Sequence, residues 1–237
     1  MAHVVLMVPM RSELRPVVQE LALRRSSSEG PVVHTGRRGD VDVTAVLAGV
    51  GTAPAAAATE RVLTGFDRVD HVIVVGIAGG IAPDQAIGDL VVPEVVVDGA
   101  SGTEHRPHRL GPEEPAGILS TSDELIVDPA AVTALVERGV VALDMETAAI
   151  AAVCERHDRP WSVFRAISDR AGDGLIDAQV AALAGADGSA GLPAVLRLVA
   201  RHPSKVRDLA RLGRDMKVAA KAAAVAAAAA CADVVAG

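Results

Sequence analysis

The sequence predicts a single α/β domain in which helices cover both faces of a mixed, mostly parallel central sheet, with further helices at the C-terminus. Short apolar runs rich in valine, typical of buried strands, alternate along the chain with longer segments that have the helical spacing of apolar residues. The chain has 237 residues, 50% of them hydrophobic, which suffices for one large α/β domain. No internal repeat is visible, so a repeat architecture is not expected.

In the first half of the chain, turns that contain glycine or proline separate each apolar run from the segment that follows it. The predicted strands are Val4–Val8, Val41–Ala48, His71–Val75 and a strand after the turn within 87–93. The predicted helices are 13–25, which has Pro16 near its start where proline is tolerated, and 53–64, which follows the glycine turn Gly49–Thr52.

Residues 98–118 form a long polar segment rich in glycine and proline. Loops of this length without structure of their own are typically functional lids or disordered. The loop contains His105 and His108 without the cysteine or carboxylate spacing of a metal site, so we expect surface histidines there.

The second half predicts a strand and turn at 118–123, a helix at 129–138, and a strand, a helix and a strand over 140–169. A loop rich in glycine and aspartate follows to about residue 189, and two helices within 192–235 are separated near His202-Pro203. We therefore expect a main domain at 1–190 and, at 191–237, a basic and alanine-rich helical extension packed on the same domain.

Composition excludes several classes of protein. The sequence has no tyrosine, two phenylalanines and one tryptophan, and a net charge of −7, which argues against nucleic acid as a partner.

Cys154 and Cys231 lack metal spacing, so buried free thiols in a reducing compartment are expected. The N-terminus has no basic region or cleavage site and reads as a strand, so we expect a cytoplasmic protein.

The C-terminal segment differs from the rest in charge. Residues 193–221 contain eight basic and two acidic side chains, whereas the whole chain is acidic. A solvated helix face is the favoured interpretation, and contact with an anionic membrane surface is the alternative.

Residues 140–169 are the strongest candidate for a functional site. Asp144-Met145-Glu146 follows one predicted strand, and Arg165–Asp169 ends the next. Ligand sites in open α/β sheets form at the carboxyl ends of strands, so these side chains are candidates for one site. The alternative is that Glu146 and Asp169 are only a helix first-turn acid and a loop acid.

Four stretches stand in order over roughly residues 1–175. They are Pro9-Met10-Arg11-Ser12-Glu13; Gly76-Ile77-Ala78-Gly79-Gly80-Ile81-Ala82-Pro83 with Gly88-Asp89-Leu90-Val91-Val92; Leu143-Asp144-Met145-Glu146; and Arg165-Ala166-Ile167-Ser168-Asp169. Together they resemble the nucleoside phosphorylase/nucleosidase superfamily, and within it the methylthioadenosine/S-adenosylhomocysteine nucleosidases. The segment from Asp187-Gly188 to about Arg214 is instead similar to the hopanoid-associated phosphorylases. The resemblance implies that 1–190 is a nucleoside phosphorylase-like catalytic domain.

The resemblance implies a catalytic role for four positions. Glu13 matches the carboxylate that positions and deprotonates the attacking water, and Arg165 matches an arginine near that water and the sugar. Asp169 matches the general acid that protonates N7 of the purine, and Ser168 orients it.

The resemblance also implies six substrate-binding residues. Met145 and Glu146 match the pair that packs on the ribose and binds its hydroxyls, and Ile126 matches a residue whose backbone binds the base. Leu125 stands where the nucleosidases often have a stacking phenylalanine, and Ile77 where they often have serine or threonine. The implied set is Met145, Glu146, Ile126, Leu125, Ile77 and Gly79.

These residue types suit the cleavage of an N-glycosidic bond. A purine leaves poorly as an anion, so Asp169 must carry a proton near neutral pH, which requires burial or a nearby negative charge. Glu146 beside the ribose favours positive charge on the sugar, mainly in the transition state. Glu13 needs the opposite environment to that of Asp169, so that it stays ionised and acts as a base.

A phosphate nucleophile requires arginines and hydroxyls around an anion, but Ile77 and Ala78 offer no hydroxyl and Glu13 repels phosphate. We therefore favour water, and predict an adenine nucleosidase acting on methylthioadenosine, S-adenosylhomocysteine or 5′-deoxyadenosine. The alternatives are a membrane-associated adenosylhopane-type phosphorylase, with phosphate as co-substrate, and an inactive nucleoside-binding protein. By resemblance we expect no cofactor, a homodimer or larger homo-oligomer, and a 5′-group that faces loop 98–118.

Overall fold

The computed structural model describes residues 1–26, 33–126, 128–171 and 205–234. In these ranges eleven strands form one mixed sheet, and helices pack on both of its faces. The predicted α/β fold class is therefore confirmed.

The strands are β1 (Ala2–Val8), β2 (Arg24–Ser26), β3 (Val33–Arg38), β4 (Val41–Leu47), β5 (His71–Gly80), β6 (Leu90–Val91), β7 (Val95–Asp98), β8 (Glu104–His105), β9 (Ile118–Thr121), β10 (Val140–Asp144) and β11 (Trp161–Arg170). The helices are α1 (Arg11–Glu20), α2 (Thr52–Gly65), α3 (Pro129–Glu137), α4 (Thr147–Arg156) and α5 (Lys205–Ala230), which a short 3₁₀ turn (Cys231–Asp233) follows.

Parallel pairs form the centre of the sheet. Strand β1 lies between β4 and β5, and β5 pairs along most of its length with β11, all in parallel. The hairpin of β2 and β3 adds antiparallel strands at one edge, and β5 pairs antiparallel with β10 near its end. Because β1, β5 and β11 run in the same direction, their carboxyl ends lie at one edge of the sheet, where a site is expected.

Each face of the sheet is covered by its own helices. One apolar cluster joins α1 and α5 to the valines of β1 and β4, and the buried face of α5 consists largely of alanines. A second cluster on the opposite face joins α2 and α4 to the sheet. Small alanine side chains allow close approach of the long helix to the sheet, and both buried cysteines lie within these clusters, as predicted.

The structure corrects three local predictions. Helix α1 ends at Glu20 instead of residue 25, because Ala22 has a left-handed φ of 50° and the chain turns back into β2. Strand β5 continues past Val75 to Gly80, since it remains paired with β11 there. His105 is buried, not on the surface, and its Nδ1 lies 2.7 Å from a carboxylate oxygen of Glu155.

The C-terminal extension is described only in part. Helix α5 corresponds to the second of the two helices expected within 192–235 and packs on β11, β5 and α1. The proposed domain boundary near residue 190 and the separation at His202-Pro203 lie outside the described residues. None of the helices in the described ranges is long and apolar enough to cross a membrane.

The buried His71 makes stability depend on pH. Its Nε2 lies 2.8 Å from Oγ of Ser162, whose single proton goes to the carbonyl of His108 at 2.6 Å, so Nε2 of His71 must be the donor. Burial, with a smaller contribution from His108, lowers the pKa of His71 from 6.5 to about 4. The unfolded chain therefore binds a proton that the folded chain does not bind between these two pH values.

We expect His71 to lower the free energy of unfolding as the pH falls from 6.5 towards 4, by at most about 3 kcal/mol. Urea unfolding at several pH values measures this slope. His71→Gln, which can still donate to Ser162, should flatten the dependence, and equal slopes in the two proteins would contradict the assignment.

Candidate active site

The candidate site lies where β1, β5 and β11 approach the same edge of the sheet. Glu13 lies in the first turn of α1, which begins directly after β1. Arg165 lies on β11 opposite Gly76 of β5, and Asp144 and Glu146 lie at the end of β10 and the start of α4. Four charged side chains from distant parts of the chain are thus buried together.

Glu13 joins the β1–α1 turn to β5. Its Oε2 accepts a hydrogen bond from the N–H of Met10 at 2.8 Å, and its Oε1 accepts one from the N–H of Ile77 at 2.7 Å. Burial raises the pKa of Glu13 from 4.5 to about 7, and Arg165 and the two N–H groups only partly oppose this increase. We expected an environment that keeps Glu13 ionised, whereas burial raises its pKa. A carboxyl group with this pKa exchanges its proton near neutral pH, which suits a general base, and that role of Glu13 stays a prediction.

Arg165 contacts all three carboxylates. Its Nη2 lies 2.5 Å from Oδ2 of Asp144 and 3.1 Å from Oε2 of Glu146, and its Nη1 lies 4.0 Å from Oε1 of Glu13. Burial disfavours the charge of Arg165, but the carboxylates together raise its pKa above the ordinary value, so it stays protonated. One guanidinium facing three carboxyl groups leaves the site with an excess of acidic groups.

The sequence analysis places Asp144 in the candidate site without a specific role, and the structure shows that it fixes the position of Arg165. Its Oδ2 also accepts hydrogen bonds from the N–H and the hydroxyl of Thr147, and its Oδ1 accepts one from the hydroxyl of Thr121 at 2.6 Å. Thr147 Oγ1 lies 3.0 Å from Nη2 of Arg165 as well. The sequence signals for Asp144 are its place at the end of a buried strand and in the motif Leu143-Asp144-Met145-Glu146.

Glu146 receives a hydrogen bond from the opposite side of the site. Its Oε1 accepts the N–H of Gly51, immediately before α2, at 3.0 Å. Burial raises the pKa of Glu146, and Arg165 opposes this effect. Both oxygens of Glu146 are thus engaged, one by Arg165 and one by Gly51, which fixes the carboxylate for contact with a ligand hydroxyl.

Asp169 and Ser168 form a second group near Gly79. A bulge in the β5–β11 pairing places Asp169 opposite Gly79, three residues after Gly76, which is roughly 10 Å along the strand. The buried Ser168 has its Oγ 2.5 Å from Oδ1 of Asp169. This separation from the Glu13–Arg165 group is comparable to the length of a ribose joined to a base.

The remaining predicted residues are more exposed. Met145 is partly buried beside Glu146, and Ile77 is partly buried, with its backbone bonded to Glu13 and Arg165. Leu125 is 45% exposed and Ile126 is partly exposed in the loop that follows β9. The structure therefore brings Ile77 into the charged group, while Leu125 and Ile126 stay in a surface loop.

Gly76 provides the space in which Glu13 and Arg165 meet. A Cβ at this position would overlap with Oε1 of Glu13 and lie 2.5 Å from Nη1 of Arg165. Because both side chains are buried and hydrogen-bonded, neither can move away freely. Glycine is required here for close approach to side chains.

We expect Gly76→Ala to lower kcat/KM about 10- to 100-fold, because a displacement of about 1 Å in catalytic groups costs rates of this order. Gly213→Ala is the matched control, since nothing lies within 4 Å of its added Cβ on α5. Steady-state kinetics of both variants test this, and equal activity of the two would contradict the packing argument.

Comparison with protein families matches residues 3–118 and 104–201 to the model described as the phosphorylase superfamily. These ranges include every candidate site residue. The chain belongs to the phosphorylase superfamily. Among curated relatives, the 5′-methylthioadenosine/S-adenosylhomocysteine nucleosidase of Geobacillus kaustophilus is 32% identical over 195 residues, which cover 65% of this chain and 82% of that protein.

Two solved structures show the same fold. The 5′-methylthioadenosine/S-adenosylhomocysteine nucleosidase of Neisseria meningitidis, in complex with methylthio-immucillin-A, has a TM-score of 0.72 and 19% identity, covering 99% of this chain and 100% of that one. A futalosine hydrolase mutant of Helicobacter pylori has a TM-score of 0.60 and 19% identity, covering 71% of this chain and 90% of that one. At these identities the similarity concerns the fold.

Proposed function

We propose that this enzyme hydrolyses the N-glycosidic bond of a 5′-modified adenine nucleoside and releases adenine. The observation that carries the proposal is the buried group in which Glu13, Asp144 and Glu146 surround Arg165. Cleavage of the bond places positive charge on the sugar, and an excess of fixed carboxylates stabilises that charge in the transition state. Relatives named as methylthioadenosine/S-adenosylhomocysteine nucleosidases are consistent with this chemistry.

The proposed roles divide between the two ends of the site. Glu146 binds the ribose hydroxyls, with Met145 packed on the ring. Glu13 removes a proton from the attacking water, and Arg165 orients that water and Glu146. At the other end Asp169, oriented by Ser168, donates a proton to N7 of the base, and Gly79 lies beside the Asp169 carboxylate.

Water is favoured over phosphate as the nucleophile. A phosphate dianion requires free positive charge, but Arg165 is buried against three carboxyl groups. Arg11 and Arg15 are exposed on α1, so neither lies inside the buried group. The charge of Arg165 is already paired with Asp144 and Glu146 and is not free for an anionic nucleophile, whereas neutral water needs no free cation.

The candidate substrates differ in the 5′-substituent. Methylthioadenosine, S-adenosylhomocysteine and 5′-deoxyadenosine share the ribose and adenine that the proposed residues bind, and futalosine is a further candidate because a futalosine hydrolase has the same fold. An assay of these four nucleosides, with and without phosphate, tests the proposal by liberation of the free base. We expect adenine release without phosphate from at least one adenosine derivative. Release only from futalosine, or only with phosphate, would contradict the proposal.

A second proposal concerns the C-terminal helix, where we infer contact with an anionic membrane surface. Five basic side chains of α5 are exposed, and their spacing places them on one helix face; they are Arg207, Arg211, Arg214, Lys217 and Lys221. Val218 and Val225 are exposed on the same face, so cations flank apolar side chains as in interfacial helices.

Co-sedimentation with phosphatidylglycerol vesicles at low and high salt tests this membrane contact. We expect salt-sensitive binding that Arg214→Glu weakens, and vesicles of phosphatidylcholine alone should not bind. Absence of salt-sensitive binding would contradict it. The homo-oligomer and the cytoplasmic location stay predictions, and the proposed chemistry uses side chains and water alone.

A further inference from the structure

The residues that begin α2 contact two separate parts of the proposed site. The N–H of Gly51 donates to Oε1 of Glu146 at 3.0 Å, and the next N–H, that of Thr52, donates to Oδ1 of Asp123 at 2.7 Å. The hydroxyl of Thr52 donates to Oδ2 of the same carboxylate at 2.5 Å. Two adjacent residues are therefore bonded to carboxylates from different regions of the chain.

Asp123 supplies a helix cap that the local sequence lacks. The N-cap position of α2 is Gly51, which has no side chain to accept an N–H of the first turn. Asp123 lies 71 residues further along the chain and accepts the N–H of Thr52 instead. Its negative charge at the N-terminus of a helix of 14 residues is also favourable for the helix dipole.

The position of Asp123 in its loop relates the contact to the proposed binding site. Asp123 precedes Leu125 by two residues and Ile126 by three, and the resemblance to nucleosidases implies that these two contact the base. Glu146 is proposed to bind the ribose. The hydrogen bonds of Gly51 and Thr52 therefore connect the loop proposed for the base with the carboxylate proposed for the sugar.

We propose that Asp123 and Thr52 are positioning residues, which fix the loop 122–126 relative to Glu146 so that one nucleoside is bound at both its base and its ribose. This inference rests on the proposed function of the site. The pair acts through other residues and does not touch the reacting atoms. Both of its hydrogen bonds lie at the surface, so their loss loosens the loop without unfolding the domain.

Three variants test the Thr52–Asp123 pair. Asp123→Ala and Thr52→Val should each raise KM for the nucleoside, by about three- to tenfold for Asp123→Ala, a factor that corresponds to the net contribution of one hydrogen bond. The value of kcat should change less, because the catalytic carboxylates are untouched. Thr52→Ser keeps both hydrogen bonds and should restore the wild-type KM, and the Asp123→Ala and Thr52→Val effects should not add.

Asp128→Ala is the matched control, because Asp128 is an exposed acidic residue that caps α3 and, like Asp123, lies between β9 and α3. Its side chain accepts the N–H of Ala131 at 3.1 Å at the start of α3. The control should lower stability by a similar amount without changing KM. An unchanged KM in Asp123→Ala, or an equal rise in Asp128→Ala, would overturn the proposal.

Amide hydrogen exchange without substrate separates this inference from the proposed function. Asp123→Ala should accelerate exchange at Gly51, whose own partner is Glu146, as well as at residues 124–126. Exchange at Gly51 equal to that of the wild type would overturn the connection. If the wild type releases no adenine from any nucleoside, the proposed function fails, and the exchange result still decides whether the pair connects the two regions.

Discussion

Asp169→Asn is expected to lower kcat about 10²- to 10⁴-fold on adenine nucleosides, the usual contribution of a general acid. The amide keeps the shape of the carboxyl group and can still pair with Oγ of Ser168, which lies 2.5 Å from Oδ1 in the wild type. It cannot donate an acidic proton to N7, so the purine must leave as an anion. The loss should therefore appear in kcat more than in KM.

A substrate with a different leaving group provides the control for the role of Asp169. A riboside of 4-nitrophenol leaves without protonation, so Asp169→Asn should cleave it at a rate near that of the wild type. Asp42→Asn is a matched variant at a half-exposed position of the mostly buried β4, where the carboxylate pairs with Arg37 at 3.0 Å, and it should keep full activity. An equal loss on both substrates would show that Asp169 has a structural role and not that of the general acid.

Glu13→Gln is the second variant with a large expected loss, again about 10²- to 10⁴-fold, because the amide cannot accept a proton from water. In the wild type the base form of Glu13 must be present. Since burial raises its pKa to about 7, kcat/KM should rise with pH up to about 7 and then level off. The residual activity of Glu13→Gln should lack this rise, and a pH profile that keeps it would assign the ionisation to another group.

The free energy of unfolding should fall as the pH rises through the range in which Glu13 ionises, whereas kcat/KM should rise. The folded pKa of about 7 exceeds the ordinary value of 4.5, so the charged form is disfavoured by folding. Its cost is absent below pH 4.5, grows up to about pH 7 and is complete above that pH. We therefore expect Glu13→Gln to be at least as stable as the wild type at pH 8 in urea unfolding, although one backbone N–H loses its acceptor. A marked loss of stability at that pH would contradict the burial argument.

Local pattern predicted much of the fold. The β-branched runs of β1 and β4 and the strand–helix–strand unit over 140–169 are recognisable because each buries apolar side chains at regular spacing. The predicted end of α1 is wrong because the real end depends on the left-handed backbone conformation of Ala22, and an alanine in the sequence does not indicate that conformation. The continuation of β5 through Gly80 depends on pairing with β11, which lies far along the chain.

The candidate site, like the fold, was predictable from local sequence only in part. The chain segment that contains Glu146 and Arg165 indicated a site by itself, but the contact of Glu13 with β5 joins residues 64 apart. The role of Asp144 depends on its burial against Arg165. The Thr52–Asp123 pair depends on contact between the start of α2 and the loop after β9. The spacing of apolar residues along the chain does not predict such contacts. The proposed roles of Met145, Leu125 and Ile126 still rest on the resemblance to nucleosidases.

The most direct test of the central claim is the identity of the atom that attacks the sugar. The wild type is incubated with methylthioadenosine in water labelled with a heavy oxygen isotope, with and without phosphate, and the sugar product is analysed by mass spectrometry. The acidic site around Arg165 predicts a free sugar that carries the label, at a rate independent of phosphate. An unlabelled sugar 1-phosphate, formed only when phosphate is present, would contradict the account.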